Sequence, residues 1–200
     1  MLPATLKKFI ELFSQVPGVG LRQAQRIAFW FLKHNKGFIY GYGLALKDMA
    51  EKLAVCEQCF FVFEKTVTEE KLCQICRDPK RDNTKIAVVE KETDLISLEK
   101  TKNYSGLYHV LGGLLIPDEN NNHDLKIREL LERIKANSQT TEIILAISHT
   151  SQGDLTAMEL EKLLRSLSVK ITRLGLGLPR GAEVEFADED TLTNALNARR

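Results

Sequence analysis

The 200-residue chain is 44% hydrophobic and 28% charged with a formal net charge of +1, which are values of a soluble, folded protein. No apolar run approaches the roughly 18 residues that a membrane span needs, and the start MLPATLKKFIELF lacks the apolar stretch and cleavage site of a secretory signal. A membrane protein is therefore excluded as an expectation, and the cytoplasm is the expected location. The near-neutral total hides an asymmetry, since residues 1–80 carry 12 Lys and Arg against 8 Asp and Glu. The first 36 residues hold Lys7, Lys8, Arg22, Arg26, Lys33 and Lys36 against a single acid, Glu11. A basic end on a neutral chain suggests a local polyanion contact, although charge alone favours a solvated helix face.

In chain order, Leu6, Phe9, Ile10 and Phe13 recur at helical spacing and predict a helix over 5–15. Pro17-Gly18-Val19-Gly20 breaks that pattern with a tight turn. Helical spacing resumes over 21–34 with Ala24, Ile27, Ala28, Phe31 and Leu32, and His34-Asn35-Lys36-Gly37 reads as its stop. A third helix is predicted over 42–53. The four cysteines of the chain then follow within one short segment. Beyond residue 84, short apolar runs alternate with helical patterns: strands at 86–89, 106–111, 142–147 and 169–174, and helices at 92–101, 124–136 and 155–167. This order implies a largely parallel sheet with helices on its faces. Asp118–Asp124 reads as a polar loop, 183–186 as a short strand after a Gly-rich loop, and 189–197 as a closing helix.

Three motifs carry chemistry. The first is the basic hairpin around Val16-Pro17-Gly18-Val19-Gly20, which resembles the helix-hairpin-helix module. Gly18 and Gly20 let backbone approach a phosphate, and the next helix starts there with unpaired N–H groups. Arg22 and Arg26, one turn apart, can neutralise neighbouring phosphates without reading bases, and Lys8 adds charge from the first helix. An ordinary helical hairpin whose glycines only make the turn is the plainer reading.

The second motif is Cys56-x2-Cys59-x13-Cys73-x2-Cys76. Two such knuckles present four thiolates tetrahedrally, which suits one structural zinc per chain and leaves no open position for catalysis. Phe60, Phe61 and Phe63 are expected to pack over this ribbon.

The third motif lies at two predicted strand ends: Glu90, followed by Glu92 and Asp94, after Ile86–Val89, and Ser148-His149-Thr150-Ser151-Gln152-Gly153-Asp154 after Ile143–Ile147. It resembles the Toprim fold of topoisomerases and primases. Catalytic members carry an Asp-x-Asp pair that, with the first-strand Glu, holds Mg2+ for phosphoryl transfer. Here Ser148 and Thr150 stand at those positions. A site without both aspartates should bind Mg2+ weakly and catalyse nothing. Tyr104 and Tyr108 read as strand-edge aromatics, not as nucleophiles, and no GxxxxGK[ST] loop points to an ATPase.

Taken in order, PGVGLRQAQRIAFWFL at 17–32, CEQC at 56–59, CQICRDPKR at 73–81, IAVVE at 86–90, GLYHVLGG at 106–113, LGLPRGAEVEF at 176–186 and TLTNAL at 191–196 resemble the RecR family across essentially the whole chain. The resemblance implies an α+β multi-module fold. Its expected parts are a helix-hairpin-helix DNA-binding region at 1–53, a four-cysteine zinc finger at 54–80, an α/β Toprim domain at 81–175 and a C-terminal loop, strand and helix at 176–200. It implies a non-catalytic, nucleoid-associated recombination mediator that forms dimers or ring-like tetramers on DNA. Such a protein works with RecO and RecF to load RecA at single-strand gaps. Carried over, Arg22 and Arg26 match the DNA-contacting positions, and Glu90, Asp94 and Asp154 the acidic surface for RecO. The family's strand-end run resembles NPTxEGEATA, whereas this chain has SHTSQGDLTA at 148–157, and Leu176 and Arg180 also depart from the pattern. The alternatives are a catalytic Toprim enzyme using Mg2+, against which the missing aspartates count, and a zinc ribbon acting only on proteins, against which the basic hairpin counts. Phe29, Trp30 and Phe31 cannot all be buried against one neighbouring helix, so one of them is expected to face another module or subunit.

Overall fold

The computed structural model describes residues 2–66, 70–116, 125–197 and 199. They fall into two compact units, 1–53 and 54–200. The first unit holds α1 (Ala4–Phe13), α2 (Leu21–Phe31) and α3 (Lys36–Lys52). Ile10, Ala24 and Ala28 are buried between α1 and α2, with Leu6, Phe9, Phe13 and Val19 around them. Ala24 and Ala28 lie one turn apart, so they clear a stripe along which the α1 side chains close on the α2 backbone. In the turn, the Val19 amide donates to the Val16 carbonyl at 2.9 Å and Gly18 adopts φ +78°. Proline followed by a positive-φ glycine is the type II pattern.

The third helix starts six residues earlier than its periodicity predicts. Asn35 Oδ1 accepts from the Phe38 amide at 2.9 Å and caps α3, so the run taken for a helix stop is a helix start. The cap offsets the unfavourable Gly37 in the first turn.

The second unit opens with β1 (Leu53–Val55), whose first residue is the last of the first unit, and β2 (Val62–Glu64), which pair as a two-stranded sheet, and with the one-turn α4 (Gln74–Arg77). Then come β3 (Asp82–Val89), α5 (Glu92–Lys100), β4 (Gly106–Val110), α6 (Ile127–Ala136), β5 (Glu142–Ala146), α7 (Ser151–Leu164) and β6 (Lys170–Arg173). The four long strands form one sheet in the order β4-β3-β5-β6, and every neighbouring pair is parallel. This is the predicted parallel sheet with crossover helices.

Alternation sends Ile86, Val88, Ile143 and Leu145 to one face, where α6 and α7 cover them with Leu130, Ile134, Leu160 and Leu164. Ala87, Val89, Tyr108, Val110 and Ala146 point to the other face. Leu95 of α5 covers part of it, and Phe60, Phe61 and Ile75 of the cysteine segment cover more. Tyr108 lies on the edge strand β4, as expected of it, but it is fully buried there and packs on Tyr104 with ring centroids 5.1 Å apart.

The C-terminal segment differs from expectation at 183–186. Val184–Phe186 is a 3-10 turn, because the Phe186 amide bonds back to the Glu183 carbonyl at 3.2 Å and, among the described residues, no strand pairs with it. The predicted closing helix is present as α8 (Glu189–Asn197), with Asp188 Oδ1 accepting from the Thr191 amide at 2.8 Å. The polar loop expected at 118–124 lies outside the described residues.

Candidate functional site

The cysteine segment builds its cluster from two short turns. The Phe60 amide donates to the Cys56 carbonyl at 3.0 Å and the Cys56 amide to the Phe61 carbonyl at 2.9 Å, with Phe60 itself at φ +63°. That closed knuckle aims Cys56 and Cys59 inward. Cys73 precedes α4 and Cys76 lies within it, so one helical turn brings the second pair together. All four sulfurs lie within 4.8 Å of one another, and Cys59 Sγ stands 3.5 Å from Cys73 Sγ. Four metal–sulfur bonds of about 2.3 Å give a tetrahedron with edges near 3.8 Å, so the cluster fits a metal ion. Cys56, Cys59 and Cys73 are buried and Cys76 is half-buried.

Hydrogen bonding from Cys59 holds the Cys56 thiol below its usual range, while the bonds to Cys56 push Cys59 and Cys76 up. Four adjacent thiolates repel, and a divalent cation would take the place of the protons that they otherwise keep. Among the described residues, this is the one group of three or more Cys, His, Asp or Glu able to hold a metal. Phe63 packs within the ribbon and Phe61 against it as expected, Phe61 also reaching the sheet, whereas Phe60 packs on the sheet.

The segments that follow β3 and β5 carry Glu90, Asp94 and Asp154 of the third motif. Glu90 follows β3 with its side chain 19% exposed and Lys91 Nζ 3.8 Å away. The Asp94 carboxylate accepts from the Lys91 amide at 3.3 Å and caps α5. Asp154 is engaged by Arg173 Nη2 at 2.6 Å, with His149 Nδ1 3.8 Å away. Thr150, in place of an aspartate, accepts from the Gly153 amide at 3.1 Å and caps α7, which is why that helix starts at Ser151 and not at the predicted 155. A Cβ on Gly153 would meet the Ser148 carbonyl at 2.0 Å, so the turn requires glycine. His149 Nε2 lies 3.2 Å from the Leu174 carbonyl and ties this turn to the end of β6.

In the first unit, Arg22, Arg26 and Lys33 stand exposed on one side of α2, and Phe29 and Trp30 flank them at 48% and 45% exposure. Residues 22 and 26 fall about 40° apart at 100° per residue, and Lys33, in the turn that follows α2, lines the same face. Among the described residues, none of these three cations forms an ion pair with an acid. Phe31, on the opposite side, is buried at 9% exposure against Phe9 and Phe13, so the aromatic triplet divides between core and surface. Gly20, at φ −76° and ψ 170°, caps α2 without a side-chain acceptor, and a Cβ there meets nothing within 4 Å. Its backbone conformation suits any residue, so the fold does not require glycine there. Lys8 is exposed on α1 and does not line this face. Sequence reasoning missed Lys33 and Trp30 as members of it, although their spacing from Arg22 and Arg26 was a readable helical signal.

A second feature of the same unit is an apolar groove of about 480 Å3, whose lining includes Leu6, Phe9, Phe13, Phe31, Tyr42 and Leu46. It shares no residue with the basic face. Among the described residues, no helix is long and apolar enough to cross a membrane.

Comparison with known proteins adds two family matches and several full-length relatives. Residues 84–175 match the Toprim domain model, and residues 177–200 match the model described as RecR, C-terminal. A protein of Myxococcus xanthus named Recombination protein RecR is 39% identical over 201 residues, covering 100% of this chain and 99% of the relative. Proteins of the same name from Synechococcus elongatus and Lacticaseibacillus casei are 41% and 38% identical, each over 98% of this chain.

Proposed function

This chain belongs to the RecR family of recombination proteins, and we propose that it is a recombination mediator that binds DNA without sequence preference and performs no chemistry on it. The observation that carries the DNA part is the exposed face of Arg22, Arg26 and Lys33, a row of cations with no acid to neutralise it. Such a row gains affinity by releasing counterions from phosphates, and it does so on any sequence. Gly18 sets the turn, and Gly20 leaves open space where a phosphate could approach the first amides of α2. Lys8 adds to the general positive field of the unit.

The non-catalytic part is supported at the ends of β3 and β5. Neutral Ser148 and Thr150 stand where a metal-binding pair would be, and the Asp154 carboxylate faces a guanidinium, not a cation site. Glu90, Asp94 and Asp154 form the proposed acidic surface for RecO, in partnership with RecO and RecF during RecA loading at single-strand gaps. The four cysteines hold one structural zinc per chain. The groove of Leu6, Phe9, Phe13, Phe31, Tyr42 and Leu46 is the proposed contact between copies in a dimer or tetramer. The protein works in the cytoplasm at the nucleoid.

The test is a binding isotherm of a labelled gapped duplex, measured by anisotropy over a range of KCl. Affinity should fall steeply with salt. Arg22→Glu with Arg26→Glu should weaken binding at least about ten-fold and lower the salt slope by roughly 2. Unchanged affinity in a folded double variant would remove α2 from the interface.

A further inference from the structure

The face of α2 combines cations with aromatic rings, and that combination favours one class of DNA. Arg22, Lys33 and Arg26 form its centre, while Phe29 lies to one side and Trp30 to the other. Trp30 is not free to wander. Its ring lies 4.5 Å from His34, 5.5 Å edge-on from Phe38 and 5.1 Å edge-on from Phe31. His34 is itself held by its Nδ1 at 2.9 Å from the Trp30 carbonyl and stacks on Phe38 at 4.4 Å. Trp30 nevertheless remains exposed, at 45% for the residue. An indole buttressed on one side and open on the other loses little conformational freedom when a flat ligand covers it.

Duplex DNA cannot use this feature, because its bases are stacked on one another. A single strand can, since unstacked bases present π-faces beside the phosphates. We infer that the α2 face is a single-strand binding surface on which Arg22, Arg26 and Lys33 hold phosphates of single-stranded DNA while Trp30 stacks a base. This deepens the DNA-binding reading above and rests on it. The proposed contact between copies uses a different surface, because the apolar groove draws its α2 residues, Ala28 and Phe31, from the other side of the helix.

Trp30 is the single tryptophan of the chain, so its fluorescence reports directly on this position. The full-length, zinc-loaded protein is titrated with a short oligothymidylate, an abasic strand of equal phosphate number, an oligouridylate and a duplex, with anisotropy of the labelled strands read in parallel. Stacking predicts quenching by oligothymidylate but not by the abasic strand, which should bind about ten-fold more weakly. Trp30→Leu should bring oligothymidylate down to the abasic level and weaken duplex binding by a smaller factor, while Trp30→Phe should restore part of the loss. Equal affinity for the two strands, or undiminished oligothymidylate binding by a folded Trp30→Leu protein, overturns the inference. Tighter binding of oligouridylate overturns the choice of DNA. Fluorescence that changes with protein concentration alone, and not with DNA, assigns Trp30 to a protein contact and overturns it as well. If the charge-reversed Arg22/Arg26 protein loses duplex binding while Trp30 proves silent, the DNA reading stands and this one falls. If the native protein binds no DNA at all, both fall.

Discussion

His109 has no exposed surface, and its Nε2 lies 2.8 Å from the Lys126 carbonyl while Nδ1 has no partner. Burial pushes its pKa down to about 4 from the ordinary 6.5. The folded protein therefore resists the proton that the unfolded chain accepts, so this residue contributes stability above pH 6.5 that is lost as pH falls towards 4. The loss between pH 7 and pH 5 is about 2 kcal/mol. Urea denaturation at the two pH values should show that difference in the native protein and a correspondingly smaller one in His109→Leu; equal differences would contradict the assignment. At this scale the sequence was partly readable. The four cysteines and Gly18 declare their roles through spacing and backbone requirement. The fate of Asp154 was hidden, because its partner Arg173 lies 19 residues away and meets it only when α7 packs beside β6.

Among the elements, the cysteine ribbon is part of the sheet's covering layer. The Cys59 carbonyl accepts from the Val110 amide at 2.9 Å, which extends the outer edge of β4 into the knuckle. Arg133 Nη1 donates to the Gln58 carbonyl at 3.0 Å and to the Tyr108 carbonyl at 2.6 Å, and Arg81 Nη1 donates to the Gly106 carbonyl at 3.2 Å. These contacts occupy backbone groups that an edge strand would otherwise offer to another chain. Arg133→Met should cost about 3 kcal/mol by removing both charge-assisted bonds, as read by urea denaturation. Chelation of the metal should release Phe60 and Phe61 from the sheet. Amide exchange should then accelerate in β4 while the α6–α7 side stays protected, and uniform protection without metal would sink this picture. Alternation and periodicity made the parallel sheet and its crossover helices legible. They failed at 183–186 and at the start of α3. An extended apolar run becomes a strand only beside a partner, and Asn35 capping outweighed a glycine that reads as a stop.

For the whole molecule, the resemblance spanned the chain and so conveyed architecture and role together, whereas the apolar groove proposed as the contact between copies emerged only in three dimensions. The three helices of the first unit leave a groove of about 480 Å3 open, and α3 buries none of its residues fully. An apolar concavity of this kind on a folded protein marks a contact surface. Leu46→Glu, a change at a position 58% exposed, should leave the chain folded and shift it towards the monomer in light scattering at tens of micromolar. A monomeric native protein under the same conditions would contradict the proposed contact. The central claim is that this is a DNA-binding mediator without chemistry of its own, and incubation of the zinc-loaded protein with supercoiled plasmid and Mg2+ tests it most directly. The account predicts a mobility shift that disappears on deproteinisation and leaves the plasmid supercoiled. Nicked or relaxed plasmid that is absent from a Glu90→Ala control would contradict it and make the protein an enzyme.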